Sequence, residues 1–264
     1  MALDPRFLSP GQKYVPGILG GLGPLSHVAF ERRVLAASHA RGARGDRDHP
    51  VWLVASAAAT PGRTAALLEG GPSPLPHLTA FAQLLERSGA HILFVVCNTA
   101  HAWHAKVQEA LGIPWVHLMD GLADAIRAAY PGGTKVGLLA TDGTLSAGLY
   151  QRALESRDLV PVAPAVASDV QTRIGAAIGD PATGIKATGD EVSAEAREHL
   201  VAAARWCVRQ GARVVVPACT EVSVGLTPEV FADVPLVDPL QVAAGALLDV
   251  AYGVREPGEF FTTD

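Results

Sequence analysis

The sequence predicts an α/β protein with parallel sheets, built from two halves of one design, and three observations carry that prediction. First, apolar strand-like runs alternate with helically spaced segments along the 264 residues. Second, Gly17–Ser26 (GILGGLGPLS) aligns without a gap on Gly137–Ser146 (GLLATDGTLS). Third, each copy later ends a buried strand in a thiol, Cys97 in VVCNTAH and Cys219 in VVVPACTE. Gly17 precedes Cys97 by 80 residues, and Gly137 precedes Cys219 by 82. A proline follows each thiol, Pro114 after 17 residues and Pro235 after 16. A period this long marks duplicated domains rather than a solenoid.

The elements follow from the pattern in order. Residues 1–13 read as a lead-in, and strand Tyr14–Leu19 feeds the glycine-bearing loop Gly20–Pro24. A helix is expected over Ser26–His39, a polar loop over Arg41–Pro50 and a strand over Val51–Ala57. Thr64 fits a helix cap, and helix His77–Ser88 closes at Gly89. Apolar His91–Val96 delivers Cys97 to a strand's carboxyl end, where helical spacing resumes over Ala102–Leu111. A short strand Trp115–Leu118 and a helix Gly121–Tyr130, stopped by Pro131-Gly132-Gly133, complete the first copy.

The second copy reads as strand Lys135–Ala140, loop Thr141–Thr144, a helix to Ser156 and strand Val160–Ala163. A glycine-rich polar interruption, Gly179–Asp190, precedes the long helix Glu191–Gln210, and the Cys219 strand follows. The last helix, Ala243–Tyr252, is expected to pack back on the first half. The domains are therefore expected at 1–118 plus 238–264 and at 119–237. In parallel sheets with right-handed crossovers, ligands sit beyond the strands' carboxyl ends. Both thiols should then face one shared cleft.

Composition narrows the function. Half the chain is apolar (49%) and 18% is charged, as large buried parallel sheets require. A formal charge of −5 gives no basic footprint, so no nucleic-acid partner is expected. No apolar run approaches the roughly 18 residues of a membrane helix, and Pro5 and Pro10 interrupt any secretory core. No membrane partner and a cytoplasmic location are the expectation. Three cysteines cannot all pair, and Cys207, at core spacing in a helical segment, reads as a small buried hydrophobe.

Cys97 and Cys219 differ because they stand at loop-facing strand ends. Two thiols on opposite walls of a cleft offer a specific reaction. One thiolate removes a proton from a carbon and the opposite thiol returns one to the other face, which inverts the centre without a cofactor. Each thiolate needs its charge stabilised, as a helix N-terminus can do. Backbone N–H groups of Asn98-Thr99 and Thr220-Glu221 are placed to stabilise an enolate-like charge and a carboxylate.

These motifs together, GILGGLGPLS, CNTAH, IPWVHLMD, KVGLLATDGT and ACTE, resemble the aspartate/glutamate racemase superfamily, specifically its aspartate racemase branch, over about residues 15 to 250. The resemblance implies two similar Rossmann-like domains related by pseudo-twofold symmetry with the active site between them. It also implies a two-base mechanism independent of pyridoxal phosphate, and a homodimer. Cys97 and Cys219 match the catalytic cysteines, and Asn98, Thr99 and Thr220 the carboxylate-binding residues. In PGRTAALL, Arg63 matches a substrate-binding arginine, and in GIKATGD, Lys186 matches a lysine of the second domain. Two cations suit a dicarboxylate, so an acidic amino acid, aspartate- or glutamate-like, is the expected small-molecule substrate. His27 and Glu221, each just after a loop turn, are supporting candidates, Glu221 to orient or deprotonate Cys219.

The chain departs from the resemblance at one place. Where the family carries amide residues and an aspartate, this sequence has Ala57-Ala58-Ala59 and Gly62, which makes a roomier and less polar wall. Other readings fit less well. Gly21-Leu22-Gly23 lacks the third glycine of a dinucleotide fingerprint. His101, His104 and His117 lack zinc-site spacing, so neither metal nor cofactor is expected. A thiol hydrolase leaves the duplication unused. A cofactor-free decarboxylase or isomerase of a small di-acid, and a two-lobed binder with idle thiols, remain as alternatives.

Overall fold

The computed structural model describes residues 4–261, and the chain forms two compact units. Unit 1 comprises Met1–Gly62, Pro72–His117 and Leu240–Asp264, and unit 2 comprises Arg63–Gly71 and Leu118–Pro239. Against the sequence expectation of 1–118 plus 238–264 and 119–237, the contacts group Leu118, residues 238–239 and the segment Arg63–Gly71 with unit 2. The short helix of that segment, Arg63–Leu68, packs against the helix Asp142–Ser146, and so groups with unit 2.

Unit 1 holds a three-stranded parallel sheet of β1 (Pro16–Gly20), β2 (Leu53–Ser56) and β3 (Ile92–Val95), in the order β2-β1-β3. Unit 2 repeats it with β4 (Lys135–Leu139), β5 (Val160–Val162) and β6 (Val214–Pro217), in the order β5-β4-β6. Registers repeat as well: Gly17 pairs with Leu93, and its counterpart Gly137 with Val215. The central strand of each sheet carries a glycine near its start, where a neighbouring segment comes close. A Cβ on Gly17 would lie 2.9 Å from the Ala90 Cβ, and one on Gly137 2.7 Å from the Cys207 Cβ.

The expected strand Trp115–Leu118 shrinks to one parallel bridge, Leu93 to Trp115, because a helix, Leu118–Ala129, claims the following residues. The same bridge recurs from Val215 to Leu236. The Leu93 N–H reaches the Pro114 carbonyl at 2.8 Å, and the Val215 N–H reaches that of Pro235 at 3.0 Å. The two prolines singled out by their spacing thus occupy equivalent places.

Several helices depart from the sequence reading. The segment after Cys97 begins as a 3₁₀ stretch, Thr99–Trp103, and only then becomes α-helical over His104–Gln108. The helix expected through Ser156 breaks in two, Asp142–Ser146 and Leu149–Glu155, at Gly148, whose φ of 63° lies in the left-handed region that favours glycine. A helix unforeseen in the sequence, Asp169–Gly179, follows β5 and is capped by the Ser168 hydroxyl, which accepts from the Gln171 N–H at 3.3 Å. The last helix, Pro239–Ala251, belongs to unit 1, where the Ala251 carbonyl receives the N–H groups of Lys13 and Tyr14 and Asp249 pairs with Arg41. Among the described residues no helix is long and apolar enough to cross a membrane.

Candidate active site

Each thiol stands two residues beyond the carboxyl end of its strand, Cys97 after β3 and Cys219 after β6, and both are nearly buried at 6% exposure. The turns are similar without matching bond for bond, the first bond shifted by one residue and the second closing three residues on after Cys97 but four after Cys219. The N–H of Cys97 reaches back to Val95 and that of Ala218 to Val216, both at 2.9 Å. The Cys97 carbonyl then accepts from Ala100 at 3.2 Å and the Cys219 carbonyl from Ser223 at 3.1 Å.

In unit 2 the structure brings four of the expected residues into one cluster. The Cys219 thiol donates to Glu221 Oε2 at 3.1 Å, and the Thr220 hydroxyl donates to the same oxygen at 3.1 Å. The other carboxylate oxygen, Oε1, receives the Lys186 ammonium. Lys186 is carried there by a short helix, Ile185–Thr188, inside the segment expected to be a polar interruption. Gly225 lets that helix approach, since a Cβ there would lie 2.7 Å from Ile185 Cδ1.

The electrostatics assign a protonation state. Burial pushes the Cys219 thiol well above its usual range, and the Glu221 carboxylate beside it pushes it further; Lys186 opposes both only in part. Burial also pushes Glu221 upward, but the Lys186 ammonium overrides it and holds the carboxyl below its usual value. At neutral pH the cluster is therefore a thiol, a carboxylate and an ammonium. The thiolate-stabilising helix N-terminus expected from sequence does not prevail at Cys219. The helix that follows, Thr220–Gly225, has six residues, and the nearest full charge is negative.

Tyr150 and Asp238 lie close to this cluster and escaped the sequence reading. Tyr150 is fully buried, and burial raises its hydroxyl well above the ordinary range, with Asp238 and Cys219 adding to the effect. Asp238 Oδ1 accepts from the Ser223 hydroxyl at 3.0 Å. The signal was available for Asp238. Aligning the prolines of IPWVHLMD and VPLVDPL pairs it with His117.

In unit 1, Cys97, Asn98 and Thr99 follow one another at the buried turn, Asn98 opening the 3₁₀ stretch. Behind the turn lies a cluster of rings. The His101 ring stands 5.1 Å from Trp115 and 5.4 Å from His117, and the His104 ring 5.0 Å from each of them. His27 is held at the end of β1, where its Nδ1 accepts from the Gly21 N–H at 3.2 Å. Its ring sits so close over Gly20 that an added Cβ would lie 2.4 Å from the His27 Cβ. The Ala57-Ala58-Ala59 wall follows β2, with Ala57 buried and Ala58 and Ala59 exposed. Thr60 closes that turn through its hydroxyl on the Ala57 carbonyl at 2.7 Å. Arg63, half-buried at the head of its helix, groups with unit 2. Among the described residues no group of three His, Cys, Asp or Glu side chains is arranged to hold a metal ion.

A parallel α/β unit with a buried thiol just past its third strand, present twice in one chain, defines the class: duplicated thiol proteins of the racemase fold. The chain belongs to the Asp/Glu/Hydantoin racemase family, whose profile it matches over residues 19–247. Among solved structures, it is 25% identical to the aspartate racemase of Picrophilus torridus. That match has a TM-score of 0.76 and covers 94% of this chain and 98% of the other. An aspartate racemase homologue from Pyrococcus horikoshii OT3 shares the fold at 23% identity and a TM-score of 0.69, with 90% and 99% covered. The broad specificity amino-acid racemase RacX of Bacillus subtilis (strain 168) is 28% identical over 146 residues. That match takes in 53% of this chain and 60% of RacX, so it spans well under two thirds of that relative.

Proposed function

We propose that the protein is a cofactor-independent amino-acid racemase that inverts the α-carbon of an acidic, aspartate- or glutamate-like amino acid by two-base chemistry between Cys97 and Cys219. The observation that carries this reading is the duplication of the thiol turn, one copy of which is held as a proton donor by Glu221 and Lys186. Cys97 as thiolate takes the α-proton, breaking C–H and forming S–H, and the electron pair spreads onto the substrate carboxylate. Cys219 then delivers its proton to the opposite face of the same carbon, breaking S–H and forming C–H. The enzyme is left with the protonation states exchanged, ready for the other enantiomer.

Lys186 has a physical role in that exchange. When Cys219 becomes a thiolate, a second negative charge appears 3.1 Å from the Glu221 carboxylate, and the ammonium on the far oxygen, with the Glu221 backbone N–H, offsets it. N–H groups at Asn98-Thr99 and Thr220, with Arg63, are the proposed holders of the substrate carboxylates. The protein acts as a homodimer. The alanine wall after β2, together with the breadth in RacX's name, makes neutral amino acids the necessary comparison. The test is a panel of L-amino acids incubated without cofactor and followed by chiral chromatography. Accumulation of the D-enantiomer of aspartate or glutamate is the expected result. Decarboxylation or cis–trans isomerisation of a di-acid, with no racemisation across the panel, would replace this reading with the di-acid alternative.

A further inference from the structure

The mechanism above leaves His101 without a task, although it is buried to 3% exposure and its ring is held from both sides. Its Nδ1 lies 2.9 Å from the Cys97 carbonyl, and its Nε2 lies 3.1 Å from the Trp115 indole nitrogen and 3.4 Å from the Val116 carbonyl. The tautomer follows from donor and acceptor chemistry. An indole N–H only donates, so Nε2 must accept, and the ring's single proton is on Nδ1. His101 therefore donates to the Cys97 carbonyl, and the longer Val116 contact is not a hydrogen bond. Burial first, then the neighbouring His117 and His104, hold the ring well below its usual pKa, which keeps it neutral.

The Cys97 carbonyl belongs to the peptide that joins Cys97 to Asn98. That unit is planar and trans, so fixing its oxygen fixes the opposite direction of the Asn98 N–H. The Cys97 carbonyl also accepts the Ala100 N–H at 3.2 Å, the opening bond of the 3₁₀ stretch, and His101 adds a second and shorter donor to the same oxygen. The duplicate offers a control. Four residues after Cys219 stands Ser223, which reaches the Pro217 carbonyl at 3.3 Å and Asp238 at 3.0 Å. The two units therefore brace equivalent turns from the same position with different chemistry.

We propose that His101, locked by Trp115, is a positioning residue that aims the Cys97–Asn98 peptide, and with it the Cys97 thiol, toward the reacting carbon. This rests on the racemase reading for its effect on turnover, but not for its effect on the thiol. The two ring nitrogens can be separated by substitution, since an Asn amide replaces Nδ1 and a Gln amide replaces Nε2. His101→Asn keeps a donor for the Cys97 carbonyl, whereas His101→Gln removes it.

Three readouts apply to the full-length protein. Iodoacetamide alkylation, quantified on the Cys97 and Cys219 peptides, should change several-fold at Cys97 alone in His101→Gln and stay near wild type in His101→Asn. Racemisation kcat should fall on the order of 10²-fold in His101→Gln, with KM less affected, and recover most of the way in His101→Asn. Nitrogen–proton correlation NMR of the unmodified protein should show His101 protonated on Nδ1, a result that holds even if neither variant folds. Protonation on Nε2, equal effects of Asn and Gln, or parallel changes at both thiols would overturn the proposal. Absence of racemisation in the wild type, with the thiol and NMR results as expected, would count against the racemase reading instead.

Discussion

Replacing Lys186 by Met should destabilise the protein in a way that depends on pH, with a size set by Glu221. Glu221 is 4% exposed and the Lys186 side chain 47% exposed, so the substitution removes a half-hydrated cation and strands a buried carboxylate. Breaking a fully buried pair costs about 3–5 kcal/mol and a surface pair about 0–1 kcal/mol. A second bound is chemical. The stranded carboxylate can take up a proton, so the penalty at pH 7 is capped by the cost of protonating Glu221 from its folded wild-type value; because that value lies below the usual 4.5, the cap sits somewhat above the roughly 3.4 kcal/mol of an unperturbed group. The expected loss at pH 7 is therefore about 1–3 kcal/mol.

The sign of the pH dependence follows from the direction of each shift. In the wild type Glu221 is held below its usual value, so it contributes stability that is present above about pH 4.5 and lost as pH falls through the folded value. In Lys186→Met burial is unopposed and the folded pKa rises. The penalty then grows as pH rises above about 4.5 and levels off above the new folded value. Urea unfolding of both proteins at half-unit steps from pH 4.5 to 8 measures the difference. The gap should be smallest at the acid end of the range and widen toward neutrality by up to about 1.4 kcal/mol per pH unit. A gap that is constant over the range, or absent at pH 7, would refute the buried ion pair.

Other expectations follow from single contacts. Glu221→Gln should lower racemisation on the order of 10²–10⁴-fold, since it removes the charged acceptor that orients the Cys219 thiol and holds Lys186 beside it, as paired kinetics from the L and D substrates would show. Cys207, pushed up to about 12 by burial, should resist iodoacetamide at pH 8 in the folded protein and react only on unfolding, which peptide mass spectrometry detects. Gly137→Ala should destabilise unit 2 by about 1–3 kcal/mol, because the new methyl lies 2.7 Å from the Cys207 Cβ and 3.1 Å from Val215 Cγ2. Unchanged unfolding of that variant in urea would contradict the close packing of helix on sheet.

Much of the architecture was legible because both halves write the same pattern. Runs such as Val214–Val216 admit few readings other than a buried strand, and the thiols at their ends place the candidate site at the carboxyl edge. The helix Asp169–Gly179 escaped notice because Gly175 and Gly179 interrupt its pattern. Trp115–Leu118 looked like a strand from its apolar run, but only one residue bridges before a helix takes over.

Side-chain partnerships were harder to read, since they depend on tertiary closure. Lys186 and Glu221 are 35 residues apart, and nothing local in GIKATGD shows that its ammonium meets a buried carboxylate. The direction of the Cys219 shift was hidden for the same reason. Helix position argued one way, and the adjoining charge and burial decided the other. His101 was visible as a residue of the CNTAH motif and as a candidate metal ligand without zinc-site spacing, but not in its task, which depends on the indole of Trp115.

The central claim is that two thiols handle one carbon from its two faces. The direct measurement is deuterium incorporation at the α-carbon in D₂O, followed together with chirality, for the wild type, Cys97→Ser and Cys219→Ser. In the wild type, deuterium should appear with every inversion. Each single variant should lose most inversion, and any exchange that remains should occur from one enantiomer only, the opposite one in each variant. Racemisation at wild-type rate in both single variants would contradict the account.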